Sequence, residues 1–317
     1  MSYMLASSPR IERKKVSSSS KKTSSGRLYL SRYWIGREVA VIEWRDYERI
    51  LKALRSLADL KFIFEGLLNC KTKGKRMFNV VSRTWNPVTG CLHECTYCWA
   101  RRLALTKLKN RERYADGFKP KLNKEEFAIR FNEGEFIFVS DMGDLFGYFI
   151  PEEWISKVLD YVRKFPRTFF LFLTKNPIRY LEFLDKMPPN AILGATIETN
   201  RDEDYLDFSL SRAPLPSERI KAMKELPWPR KFISIEPILD FDLEIFIKDI
   251  REISPIMVYI GYDNYNNKLP EPPLQKTLEL IKVLRREPMV VVEKTLRPAW
   301  YEGLNRYLEG NKGDKAI

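Results

Sequence analysis

The chain of 317 residues carries 55 lysines and arginines against 42 acids and one histidine, a formal charge of +13. A hydrophobic content of 44% allows a sizeable core, in one large domain or two ordinary ones. No stretch of 18 or more apolar residues occurs and no secretory signal opens the chain, so the expectation is a cytoplasmic protein with no membrane partner.

Residues 1–26 are rich in Ser and Lys and almost free of apolar side chains after Leu5, which predicts a disordered basic tail. Seven basic residues against one acid in residues 1–27 make it a candidate arm for phosphates, or a solubilising leader. Residues 27–75 read as a small module. Leu28 to Ile42 has β-branched and aromatic residues around Gly36, predicting two short strands, and Glu43 to Phe64 has apolar residues at helical spacing (Tyr47, Ile50, Leu51, Leu54, Leu57, Leu60).

From residue 76 to 300 a short apolar run, a polar loop and a helix recur. The runs are Phe78–Val81, Phe136–Ser140, Thr168–Thr174, Ala191–Ile197, Lys231–Ile235, Ile256–Gly261 and Met289–Val292. Helical spacing marks Glu152–Phe165, Pro177–Met187, Ser217–Leu226, Leu243–Ile253 and Leu274–Arg286. This alternation predicts an α/β fold in which parallel strands and crossover helices form an open or closed βα barrel of six or seven strands. Residues 301–317 read as a C-terminal helix and tail. In such a barrel the chemistry sits on the loops after the strands.

The first of those loops, Trp85 to Ala100, holds three of the four cysteines and the only histidine. Cys91, Cys95 and Cys98 follow a C-x3-C-x2-C spacing. Thiolates so spaced can hold three corners of a cubane cluster and leave the fourth iron open. The alternative is a structural zinc site using the same three with His93 or Cys70, although no second C-x2-C pair is present. Cys70 otherwise reads as a buried or free thiol.

C-x3-C-x-aromatic-C, with Tyr97 at the aromatic position, resembles the signature of the radical S-adenosylmethionine (SAM) superfamily. The resemblance implies a partial (β/α)6 TIM-like barrel with a small N-terminal α+β appendage. It further implies a [4Fe-4S] cluster on Cys91, Cys95 and Cys98, and SAM chelated to the open iron and cleaved reductively to a 5′-deoxyadenosyl radical for hydrogen abstraction. An electron donor of unspecified identity is implied as well.

At the second strand end, Ser140-Asp141-Met142-Gly143-Asp144 occupies the place of the superfamily's SAM-amino loop, often Gly-Gly-Glu. That sequence is absent, so Met142 and Gly143 are assigned by position. Thr174-Lys175-Asn176-Pro177, Thr196-Ile197-Glu198 and Ser234-Ile235-Glu236-Pro237 end the next three strands. A carboxylate in an apolar strand end is costly unless paired, so Glu198 and Glu236 are candidates for the ribose hydroxyls of SAM or for substrate. The rival reading is a salt-bridged core of Lys175, Glu198 and Glu236. Gly261 could admit the adenine ring, and Lys294 could reach the rim.

Together with Thr84-Trp85-Asn86-Pro87-Val88-Thr89-Gly90-Cys91, these phrases resemble an uncharacterised radical-SAM-like group of phages and prokaryotes, from about Phe78 to Lys294. Spore photoproduct lyase is a more distant likeness by motif. The tighter cysteine spacing here, and Gly261-Tyr262 in place of a double glycine, depart from that group. The basic charge, seven Trp and fifteen Tyr fit DNA or RNA as the partner. The competing readings are a non-catalytic zinc-bearing nucleic-acid-binding protein, an iron-sulfur electron carrier, and a radical SAM enzyme acting on a peptide or small molecule.

Overall fold

The computed structural model describes residues 11–15, 38–42 and 78–302. The expected helix Glu43–Phe64, Cys70 and the C-terminal segment from residue 303 lie outside the described residues. The chain divides into two compact units, Met1–Lys61 and Phe62–Ile317. In the first, β1 (Ile11–Lys15) pairs antiparallel with β2 (Glu38–Ile42), Ile11 opposite Ile42 and Lys15 opposite Glu38. Regular structure thus occurs inside the stretch expected to be a tail, and it supplies the partner of the strand expected before Ile42.

The second unit is built on a seven-stranded sheet, parallel throughout. Its strands are β3 (Arg83–Trp85), β6 (Phe136–Val139), β7 (Phe169–Thr174), β8 (Ala191–Thr196), β9 (Lys231–Ile235), β10 (Met257–Ile260) and β11 (Val290–Glu293). They lie side by side in chain order, so that β3 and β11 form the two edges. Six βα units and a closing seventh strand make the curled, partial TIM-like barrel. A short ladder of β4 (Val88–Thr89) with β5 (Lys121–Leu122) stands beside it.

The strands read as unbroken apolar runs because both faces of the sheet are covered. Ile137, Val139, Phe170 and Phe172 face the helices, while Phe138, Leu171, Ile192, Phe232 and Tyr259 fill the concave side. In α2 (Glu152–Val162) the residues Ile155, Val158, Leu159 and Val162 are buried, and in α5 (Leu243–Ile253) Phe246, Ile247, Ile250 and Ile253. Each set is the single stripe that a helix packed on a sheet presents. Helices α1 (Trp99–Leu105), α3 (Asp202–Asp207), α4 (Pro216–Glu225) and α6 (Leu274–Leu284) complete the set.

Two local expectations change. Phe78–Val81 is not the first strand. Phe78 instead plugs the concave side, its ring centroid 5.4 Å from Phe138, 5.1 Å from Phe232 and 4.8 Å from Tyr259. Such a plug and a buried strand have the same apolar composition. Pro177–Lys186 is a 3₁₀ segment rather than an α-helix. Its buried Pro177, Tyr180 and Phe183 recur every third residue, the period of that tighter turn.

Candidate active site

Beyond β3 the chain makes the β4 extension and turns at Gly90. There φ is +86°, and a Cβ would lie 2.1 Å from the Lys119 carbonyl oxygen. Only glycine combines that conformation with that approach. The Gly90 amide donates to the Met142 carbonyl (2.9 Å) and the Cys91 amide to the Phe118 carbonyl (3.0 Å), so the cysteine loop is clamped from both sides. Gly143 matches it: a Cβ there would stand 3.0 Å from the Gly90 oxygen.

Cys91, Cys95 and Cys98 are all free thiols, and all three line one cleft at the C-terminal mouth of the half-barrel. Cys91 Sγ accepts from the His93 amide (3.5 Å). Cys98 is the N-cap of α1, its sulfur accepting from the Arg101 amide (3.3 Å) where a cap usually offers oxygen. The Ser211 hydroxyl donates to the His93 carbonyl (2.9 Å), leaving its oxygen to accept from the Cys95 thiol (3.1 Å). Burial pushes the Cys91 thiol well up, with the Asp144 charge and the other two cysteines adding to it. Burial also raises Cys98 against the opposing Arg101 and Ala100 amides. Thiols so placed ionise when a metal compensates the charge.

The donor set fits an iron-sulfur cluster: three soft sulfurs, mutually close enough to sense one another's charge, lining one cleft open to solvent. Among the described residues no three Cys, His, Asp or Glu side chains converge as a single ion requires. His93, the alternative zinc ligand, is buried and lines the same cleft, with Nε2 3.0 Å from Asp144 Oδ2 and Nδ1 without a hydrogen-bond partner among the described residues. Burial would raise the Asp144 carboxyl, but the His93 contact and the Lys175 amide (2.9 Å) outweigh it and hold it below its ordinary value.

The carboxylates expected from the sequence have different fates. Glu198 is fully buried and its oxygens are occupied: one takes the Tyr97 hydroxyl and the Lys175 ammonium, the other Arg219 Nη1 (2.6 Å). Burial alone would raise its pKa; the two cations instead bring it down to about 2. Lys175 also donates to the Tyr97 hydroxyl (2.9 Å) and reaches the cleft wall. Glu236 lies in the cleft wall apart from this group, paired with Lys294 Nζ at 2.7 Å, with burial raising its carboxyl against that partner. The anticipated three-residue salt-bridged core is therefore two separate pairings.

Met142 packs its side chain against Ala100, Ala104, Tyr114 and Phe118, and both its backbone polar groups are used: its amide donates to Asn86 Oδ1 (3.0 Å) and its carbonyl accepts from the Gly90 amide. Gly143 lines the cleft. Gly261 is not among the lining residues; a Cβ there would meet Lys294 Cβ at 3.0 Å.

Asp141, one of the two carboxylates of the second strand-end loop, is joined by two contributors not singled out from the sequence, Ser211 and Arg219. Asp141 lines the cleft, its Oδ1 taken by Asn86 Nδ2 (2.6 Å), and burial raises its carboxyl. Ser211, remote in sequence, touches Cys95. Arg219 is buried on the same stripe of α4 as Ile220 and Met223. A charge on an apolar stripe implies a buried counter-charge, and that signal was available.

A family model described as "Protein of unknown function (DUF5131)" matches residues 77–258. No curated protein matches. Among solved structures, a spore photoproduct lyase mutant with bound AdoMet and dinucleoside spore photoproduct aligns at 13% identity and TM-score 0.45, covering 65% of this chain and 61% of that one. Streptococcus suis SuiB bound to S-adenosylmethionine aligns at 13% identity and TM-score 0.43, covering 69% and 49%. SuiB bound to precursor peptide SuiA aligns at 14% identity and TM-score 0.42, covering 85% and 58%. The chain thus spans about three-fifths or less of the length of these proteins. Among the described residues no helix is long and apolar enough to cross a membrane.

Proposed function

The chain belongs to the DUF5131 family, and from that premise we propose that it is a radical SAM enzyme acting on nucleic acid. The observation that carries this reading is the convergence of Cys91, Cys95 and Cys98 on one cleft at the mouth of a parallel half-barrel. These three residues would hold a [4Fe-4S] cluster. Such a cluster, with SAM bound, would supply one-electron cleavage of the S–C5′ bond for hydrogen abstraction from substrate.

The chain's own groups bind and orient. Lys175 presents the ammonium suited to a carboxylate, and Glu236 the carboxylate suited to an ammonium or to ribose hydroxyls. Gly143 lets a ligand approach the backbone beside Gly90. Tyr97 and Glu198 act from beneath by fixing Lys175, and Gly261 acts by seating Lys294 against Glu236. Met142 positions Gly143 and the cysteine loop through its backbone. Phe138, Leu173 and Thr196 close the floor of the cleft against water. The charge of +13 supports an anionic polymer as substrate.

The test is to reconstitute the protein anaerobically, reduce it, add SAM and measure 5′-deoxyadenosine. The reading expects turnover that depends on reductant. A fully iron-loaded protein that leaves SAM intact would refute it.

A further inference from the structure

The excess charge is concentrated in two places. Residues 1–27 hold seven basic residues against one acid, and Arg101–Lys124 holds nine against two, which leaves the rest of the chain neutral. The second segment belongs to the site's surroundings. It leaves the cysteine loop at Cys98 and returns to it where the Lys119 carbonyl abuts Gly90 and the Phe118 carbonyl takes the Cys91 amide.

Most of its cations have no carboxylate partner among the described residues. Elsewhere some are matched, as where Arg201 meets Asp240 and Asp242 and Lys224 meets Asp249 and Glu252, but the exposed cations of the segment stand closer together in the chain. Within the segment only Arg113 is held by carboxylates, those of Glu125 (2.6 Å) and Glu126 (2.8 Å). Lys107, Lys109, Arg111, Lys119 and Lys124 are exposed, with no carboxylate partner among the described residues. Crowding like charges raises the energy of the free protein, and an anion relieves that repulsion.

Two further features favour a nucleic-acid strand over an acidic protein surface. A polar groove lined by Arg111, Arg113 and Lys121 against Glu112 and Glu125, with Asn123 and Tyr114, runs along the segment. Separately, Arg102 on α1 donates to Asn267 Oδ1 (2.8 Å) in the β10–α6 loop and stands over the Tyr265 ring at 4.8 Å, and Tyr265 is 47% exposed. Exposed cations seat phosphates, and a ring under a guanidinium can stack a base.

We propose that Arg101–Lys124 is a binding face for single-stranded nucleic acid, its phosphates along the lysines and Arg111 and a base stacked at Tyr265. The strand is taken as single because a base stacked and paired in a duplex is not accessible to an enclosed site. The chemistry done on that base rests on the function proposed above; the binding does not, and it is measured without a cluster.

The experiment is fluorescence anisotropy with labelled single-stranded DNA and RNA oligonucleotides and a matched duplex. It uses the full-length apo-protein, a Lys107→Glu/Lys109→Glu/Arg111→Glu variant, and an equal-charge control, Lys164→Glu/Arg167→Glu/Lys248→Glu. Single strands should bind more tightly than duplex. The segment variant should lose about tenfold or more in affinity, and its dependence of log K on log salt should flatten by about 2, at roughly 0.7 per lost phosphate contact. The control should stay near wild type. Equal losses in the two variants, a preference for duplex, or displacement of the oligonucleotide by polyglutamate at equal charge concentration would each overturn the proposal.

Discussion

Replacing Glu198 by glutamine removes the one negative charge from a buried group that also holds Lys175 and Arg219. Both carboxylate oxygens are engaged and neither Glu198 nor Arg219 is exposed, so water cannot compensate the two cations left behind. Glu198 has its folded-state pKa lowered from 4.5 to about 2, and that difference is worth about 3 kcal/mol at neutral pH. Removing one partner from a buried ion pair costs about 3–5 kcal/mol, a similar figure. For a domain of this size the cost corresponds to a fall in Tm of roughly 10 °C. Because the folded pKa lies below the unfolded one, the contribution is fully present above pH 4.5 and is lost as pH falls through about 2. Glu198→Gln should therefore unfold earlier at neutral pH and lose less stability between pH 5 and pH 2 than wild type. Thermal and urea unfolding across that range measure both effects. A fall of less than about 2 °C with an unchanged acid limb would refute the reasoning.

Gly90→Ala places a Cβ 2.1 Å from a backbone oxygen at φ +86°, so residues 118–120 must move off Cys91. A loss of about 2 kcal/mol or more and poor iron uptake are expected from urea unfolding and iron analysis; wild-type values for both would contradict the clamp. Lys294→Met removes the group that opposes the upward shift of Glu236, raising that carboxyl further. Since its folded pKa already lies above the unfolded one, Glu236 favours the folded state below pH 4.5, and the advantage fades as pH rises through the folded value. The destabilisation by Lys294→Met should be larger at pH 7 than at pH 4, and a pH-independent loss would count against the pairing. Cys95→Ala should abolish both the colour of reconstituted protein and SAM cleavage, and retained cleavage would contradict the ligation.

The strand-helix rhythm was legible because the sheet is covered on both faces, which makes each strand a continuous apolar run, and because Leu243–Ile253 and Glu152–Val162 keep one clear stripe. Phe78 was misplaced for the same reason: apolarity reports burial, and a plug is as buried as a strand. The cysteines announced themselves by spacing. The support of Cys95 did not, since Ser211 lies more than a hundred residues further along the chain. Glu198 and Glu236 looked equivalent in sequence, each closing a strand. Only the placement of Arg219 and Lys294 makes one a buried anchor and the other a wall of the cleft.

The most direct measurement is the metal itself. Anaerobic reconstitution with iron and sulfide should give a brown protein holding about four irons and four sulfides per chain, bleached by dithionite. A colourless protein that instead retains one zinc would contradict the account.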